Sequence, residues 1–174
     1  MFEYCNFTAL YIGNQAVLSL LSKGITIGFS LESGEGIIQL VPVYEGFVLK
    51  YAVNKFNLSG RDLTEFMLLL LRDIDYNFSS LINLAKLIKE NVCYVAENYE
   101  KEKNMVEISG YIFSDGNSIK IKEEKYIYPE VLFNPKIMGK VGEGIVEACY
   151  NSIQKCYNDL KSEIFGNIVL SGGI

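Results

Sequence analysis

The sequence contains no histidine. That absence excludes Ser-His-Asp and Cys-His hydrolases, histidine-ligated zinc and imidazole proton shuttles. Tryptophan is also missing, so 12 Tyr and 10 Phe carry the aromatic packing. Cysteine is scarce: Cys5, Cys93, Cys149 and Cys156 form no CxxC pair. They read as ordinary buried thiols of a reducing compartment rather than as a metal centre. No apolar run approaches the roughly 18 residues of a membrane span. The longest, from Phe66 to Leu71, stops at Arg72. The opening Met1-Phe2-Glu3-Tyr4-Cys5-Asn6 lacks the basic residues of a secretory leader. Basic charge is short as well, with 16 Lys+Arg against 21 Asp+Glu and a net charge of −5. Phosphate neutralisation drives nucleic-acid affinity, so no nucleic-acid partner is expected, and no membrane partner either.

What remains is a globular composition. Of 174 residues, 49% are hydrophobic and 21% charged, which suits one ordinary domain with a real core and excludes a disordered chain. A soluble intracellular protein is the class these numbers imply. Ala9 to Leu21 has helical apolar spacing and stops at Lys23-Gly24. Three strand-like runs follow, Thr26 to Leu31, Ile37 to Val43 and Phe47 to Val53. Short glycine turns separate them, so they predict an antiparallel meander. Asp62-Leu63-Thr64-Glu65 reads as a capping box opening a helix to Leu71, and Ser79 or Ser80 as the cap of a second helix reaching about Glu90. Val106 to Phe113 and Ser118 to Ile121 flank the hairpin signal Ser114-Asp115-Gly116-Asn117, and Tyr126 to Glu130 closes the β-rich part. Ile145, Cys149, Ile153, Cys156, Leu160 and Ile164 form one apolar stripe, which predicts a single helix from about Gly142 to Phe165. Asn167 to Leu170 reads as a buried strand leading into Ser171-Gly172-Gly173.

Two kinds of residue could carry chemistry. The glycine turns let backbone N–H groups approach oxyanions that a Cβ would block, although most such hairpins are structural. Glu32 and Glu35 flank the first turn and could hold a cation through its waters, or be solvated turn residues. Lys89-Glu90 and Gln15 would ordinarily be surface groups on helices.

Read in order, several segments together resemble the interior of actin. They are Gln15-Ala16-Val17-Leu18-Ser19-Leu20, Glu32-Ser33-Gly34-Glu35-Gly36 with Val41-Pro42-Val43-Tyr44-Glu45-Gly46, and Gly60-Arg61-Asp62-Leu63-Thr64. Lys89-Glu90 with Cys93-Tyr94-Val95-Ala96, Pro129-Glu130-Val131-Leu132-Phe133, Asn151-Ser152-Ile153 with Lys155-Cys156, and Val169-Leu170-Ser171-Gly172-Gly173 continue the series. The resemblance covers the chain end to end and less than half of a family member. It implies an α/β protein with the actin-like ATPase fold, shared with hexokinases and heat-shock chaperones, of which this chain supplies about one half. Residues 1–22 would form the helix passing between the halves, 23–58 and 141–174 the sheet-bearing inner subdomain, and 59–140 a smaller inserted helical subdomain.

The resemblance also implies roles. Ser33, Gly34, Glu35, Gly36 and Ile37 correspond to a loop whose amides grip phosphates, and Gly172 and Gly173 to a second glycine turn beneath the nucleotide. Gly60, Lys89 and Glu90 face the adenosine; Glu32 holds the metal through water. Gln15 orients the attacking water, with Gln39 beside it, which is most of what phosphoryl transfer asks of a protein. Ile137 and Met138 tip a loop that reaches across the filament, or are two tucked-in apolar residues. Leu21, Gly24 and Thr26 line part of a partner groove. The implied cofactors are ATP or ADP with Mg²⁺ or Ca²⁺ in the complete protein, and weak or absent binding in this chain. The implied partners are filament subunits of its own kind or other actin-family subunits, and actin-binding proteins, in the cytoplasm and cytoskeleton.

Departures temper these expectations. Actins carry aspartates where this chain has Glu32 and Glu35, and the added methylene moves each carboxylate by about 1.5 Å, against the strict geometry of Mg²⁺. Gln39 replaces a histidine, and the family's first phosphate loop is not in this sequence. The expected function is therefore an actin-like, filament-forming ATP binder with impaired hydrolysis. The alternative is a non-polymerising module that caps filaments or docks actin partners without ATP turnover. The 174-residue chain alone is expected to show no ATPase activity above background in a phosphate-release assay. Turnover that disappears in Gln15→Ala contradicts this.

Overall fold

The computed structural model describes residues 2–72, 78–104, 109–112 and 118–173. A short helix, α1 (Phe2–Cys5), precedes α2 (Gln15–Leu21), which leads into a meander of β1 (Gly28–Ser33), β2 (Ile38–Tyr44), β3 (Phe47–Val48) and β4 (Asn54–Phe56). Helices α3 (Gly60–Leu70), α4 (Phe78–Asn91) and α5 (Tyr99–Lys103) follow, then the hairpin strands β5 (Ser109–Ile112) and β6 (Ser118–Ile121). The chain continues through α6 (Glu124–Glu130), α7 (Ile145–Gln154) and α8 (Asn158–Gly166) to β7 (Ile168–Gly172).

The sheet is antiparallel except where β7 joins β1 in parallel, giving the order β3-β2-β1-β7 with β4 also on β2. Residues directly paired across strands share a face. Phe29, Leu31, Leu40 and Leu170 therefore lie on one face, and Ser30, Glu32, Gln39, Val41, Val169 and Ser171 on the other. Helices α7 and α8 pack on β2 and β1, where Phe29, Ile38, Leu40 and Ile153 are fully buried. The opposite face is covered by α2, whose Ala16 and Leu20 bury against Val41 and Val43. The result is a three-layer α/β/α unit.

Several elements depart from the sequence-based expectations for identifiable reasons. The helix expected over Ala9 to Leu21 is α2 and starts only at Gln15, because the Asn14 side chain accepts the Ala16 N–H at 3.0 Å and caps it there. The first strand lies two residues later than expected, at Gly28–Ser33. The third strand is split by a 3₁₀ turn, Lys50–Ala52. Leu49 donates its N–H to the Pro42 carbonyl at 3.0 Å, but proline has no N–H to return, and the ladder breaks opposite it. The capping box sits three residues earlier than expected. Ser59 is the cap and Asp62 the reciprocating carboxylate, which makes Gly60 the first residue of α3. Helix α4 starts at Phe78, so Ser79 and Ser80 lie inside it rather than at its cap. The turn expected at residues 114–117 lies outside the described residues, although β5 and β6 pair antiparallel. Tyr126 to Glu130 is helix α6, not strand.

The long C-terminal helix is two helices. Its stripe advances by about 3.8 residues per repeat, against 3.6 for an α-helix, so a straight rod would turn the last members about 100° off the core. The break after Gln154 resets the phase, and Ile145, Ile153, Cys156 and Ile164 all stay buried. The terminal strand β7 is not buried: Leu170 is 73% and Ile168 49% exposed. It forms the sheet edge among the described residues, beside an apolar cavity of about 580 Å³ lined in part by Leu132, Phe133 and Val146.

Asp62 Oδ2 accepts the Ser59 N–H at 2.8 Å and its hydroxyl at 2.6 Å, and Oδ1 accepts Lys140 Nζ at 2.6 Å. Desolvation pushes the carboxyl up, but Lys140 and Ser59 outweigh it and hold it below the ordinary aspartate range. This stabilisation is present above the ordinary value and lost as pH falls through the lowered one. Asp62→Ala is expected to cost about 1–2 kcal/mol in a urea titration at pH 7, with the deficit shrinking in acid. A deficit independent of pH contradicts the assignment.

Candidate functional site

Strands β1 and β7 run parallel, so their carboxyl ends meet at one edge of the sheet, the usual ligand position in open α/β sheets. There β1 turns through Gly34–Ile37 into β2, and β7 runs into Gly172 and Gly173. The Gly173 N–H donates to the Ser33 carbonyl at 3.1 Å. Gly172 has φ +113, and a Cβ there would overlap the Ser33 carbonyl. The two glycine segments can touch only because no side chain stands between them.

The α3 N-terminus sets the direction of the loop's peptide planes. Gly60 N–H donates to the Gly34 carbonyl at 3.1 Å, and Arg61 N–H to the Glu35 carbonyl at 2.8 Å. In a trans peptide the C=O and the following N–H point in opposite directions, and the described chain has no cis bond. The N–H groups of Glu35 and Gly36 therefore both point away from α3. Neither donates to a backbone carbonyl among the described residues, whereas Gly34 N–H is spent on the Ile37 carbonyl at 3.0 Å. A Cβ on Gly36 would meet nothing within 4 Å. Two aligned, unspent amides beside open space form an anion cradle.

Beside the cradle lies a polar row across the sheet. Gln39, Glu32 and Ser171 are register neighbours on β2, β1 and β7. Above them, Ser19 Oγ donates to Glu32 Oε1 at 3.4 Å and lies 3.3 Å from Ser171 Oγ. Helix α2 crosses this face of the sheet with Ser19 over the row, and exposed Gln15 lies one turn before Ser19. Glu32 is 7% exposed. Burial raises its carboxyl pKa, and the Ser19 hydrogen bond offsets only part of that. Glu35 differs: it is exposed and lies 3.9 Å from Lys86 on α4, a contact of small energetic weight.

Of the residues expected to face the adenosine, Gly60 and Lys89 are brought together through Thr64. Lys89 Nζ donates to Thr64 Oγ1 at 3.4 Å, and the Thr64 hydroxyl donates to the Gly60 carbonyl at 2.9 Å. Glu90 follows on the exposed end of α4. The Tyr128 hydroxyl is buried, with no hydrogen-bond partner among the described residues. Burial raises its pKa, with Cys93, Glu35 and Glu90 adding to the effect. Ser19, Ser171, Thr64, Lys86 and Tyr128 were missed by sequence reasoning, because each contributes only through its register or a helix crossing.

Other expected residues lie elsewhere. Leu21, Gly24 and Thr26 sit at the amino end of β1, away from the cradle, where Leu21 helps line a cavity of about 250 Å³. Ile137 and Met138 occupy a 3₁₀ turn, Pro135–Met138, and lean on the protein's own core. Burial pushes the Cys93 thiol up to about 12 and the Cys149 thiol to about 11, so both are inert packing groups.

The cradle fits a phosphate chain, with room at Gly36 and donors already aimed. The carboxylates fit a divalent cation less well. Among the described residues no three His, Cys, Asp or Glu side chains could jointly hold a metal. Glu32 stands alone, while Glu35 turns towards Lys86. A cation here would take its remaining oxygens from phosphate and water.

A family model described as Actin matches residues 1–174.

Glu32→Gln is expected to raise the melting temperature at pH 7. An ionised carboxylate with a raised folded pKa destabilises above its ordinary value of about 4.3. The gain should vanish as pH falls below that value. Equal melting temperatures at pH 7 contradict the burial argument.

Proposed function

The chain belongs to the actin family, and on that premise we propose that its glycine cradle binds the phosphates of ATP or ADP. The observation that carries this reading is the pair of aligned amides at Glu35 and Gly36, fixed by α3 and given to no backbone carbonyl among the described residues. Ser33 and Ile37 frame the loop, and Gly172 and Gly173 floor it from β7. Gly60, Lys89, which reaches its turn through Thr64, and Glu90 hold the adenosine side. A divalent cation, when bound, screens the phosphate charge, with Glu32 as its one carboxylate. Gln15 and Gln39 face the place where a water would stand and position it by hydrogen bonding. Neither can take its proton, because an amide side chain is no base at neutral pH. Binding through this one loop is weak, since an open, wet site screens every contact.

The cellular role that goes with this site is filament formation in the cytoskeleton of the cytoplasm, with partners docking near Leu21, Gly24 and Thr26. A second reading is a non-polymerising module that caps filaments or docks actin partners. It is favoured by the inward packing of Ile137 and Met138, which leaves less apolar surface for a neighbouring subunit. Co-sedimentation separates the two: a filament former pellets alone, and a capping module changes only the behaviour of added actin.

The phosphate reading is tested by calorimetric titration with ADP. Weak, saturable binding is expected, reduced at least about tenfold by Gly36→Asp, whose carboxylate repels phosphate in the cradle. No binding by the native chain, or equal binding by the variant, contradicts it.

A further inference from the structure

Lys140 lies 80 residues beyond Gly60 in the chain, yet it closes a relay that ends on the phosphate loop. The amides that hold the Gly34 and Glu35 carbonyls are the first two of α3. That first turn is capped by Ser59 and Asp62, and the two Asp62 oxygens have separate duties. Oδ2 takes the Ser59 N–H and hydroxyl at 2.8 and 2.6 Å, and Oδ1 takes Lys140 Nζ at 2.6 Å. Lys140 itself is anchored, because its N–H donates to the Pro135 carbonyl at 3.1 Å after Gly139 reverses the chain at φ +74.

The geometry points to Lys140 as a positioning residue for the phosphate loop. By holding Asp62, it keeps the first turn of α3 from fraying. That turn keeps the Gly34 and Glu35 carbonyls pointed inwards, so the next two amides stay aimed at the ligand. The same relay ties the loop to the segment at Pro135–Met138. Coupling is reciprocal, so a phosphate on the loop tightens that segment. The ligand-binding half of this inference rests on the phosphate reading above; the fraying half does not.

The test compares the full native chain with Lys140→Met and Lys140→Arg. Amide hydrogen exchange across residues 57–64 is measured without ligand, and ADP affinity by calorimetry. In Lys140→Met, exchange at Gly60 and Arg61 is expected to rise about threefold to fivefold, and ADP affinity to fall by a similar factor. Lys140→Arg restores both, because a guanidinium also serves Asp62. Unchanged exchange in Lys140→Met overturns the proposal whatever ADP does. Faster exchange with unchanged ADP affinity overturns the positioning role while the phosphate reading stands. Faster exchange in a protein whose native form does not bind ADP overturns the phosphate reading and supports the fraying relay alone.

Discussion

The site depends on two hydrogen bonds, from Gly60 and Arg61 N–H to the carbonyls of Gly34 and Glu35. They join the helical layer to the sheet at the point where the sheet's carboxyl edge opens. Because peptide planes are rigid, fixing two carbonyls fixes two amides on the far side. The α3 N-terminus, which would otherwise attract an anion to itself, is spent on the loop. The anion-binding capacity is passed across the loop and emerges beside Gly36.

Everything around that junction serves to hold it. Ser59 and Asp62 keep α3 wound to its first residue, and Thr64 places Lys89 over the same turn. On the other flank, Gly172 lets β7 come against Ser33. The buried Glu32 opposes stability, since its charge is held out of water with one long hydrogen bond from Ser19. A packed apolar residue there would suit the fold better. A carboxylate at that cost, beside an aligned pair of amides, is what a site for phosphate and its cation would contain.

The meander and its glycine turns were legible in the sequence, because glycine turns between β-rich runs are local signals. The capping box was visible but misplaced by three residues, since Ser59 and Asp62 satisfy the same rule as Asp62 and Glu65. The exposure of β7 was not legible. Ile168-Val169-Leu170 looks like any buried strand, and burial depends on what lies alongside it. The broken C-terminal helix shows in the sequence only through the stripe's mean period, which exceeds 3.6 and which the continuous-looking apolar series hides. The Lys140–Asp62 contact spans 78 residues and leaves no trace in local sequence. Charge pairs of that kind are set only by the packed fold.

The most direct test of the account is an amide-resolved titration of the isotope-labelled chain with ADP. The Glu35 and Gly36 amides are predicted to shift furthest, together and with one saturation curve, while the Gly60 and Arg61 amides stay nearly still. Shifts confined to Gly60 and Arg61, or none at Glu35 and Gly36 under saturating ADP, would contradict the cradle.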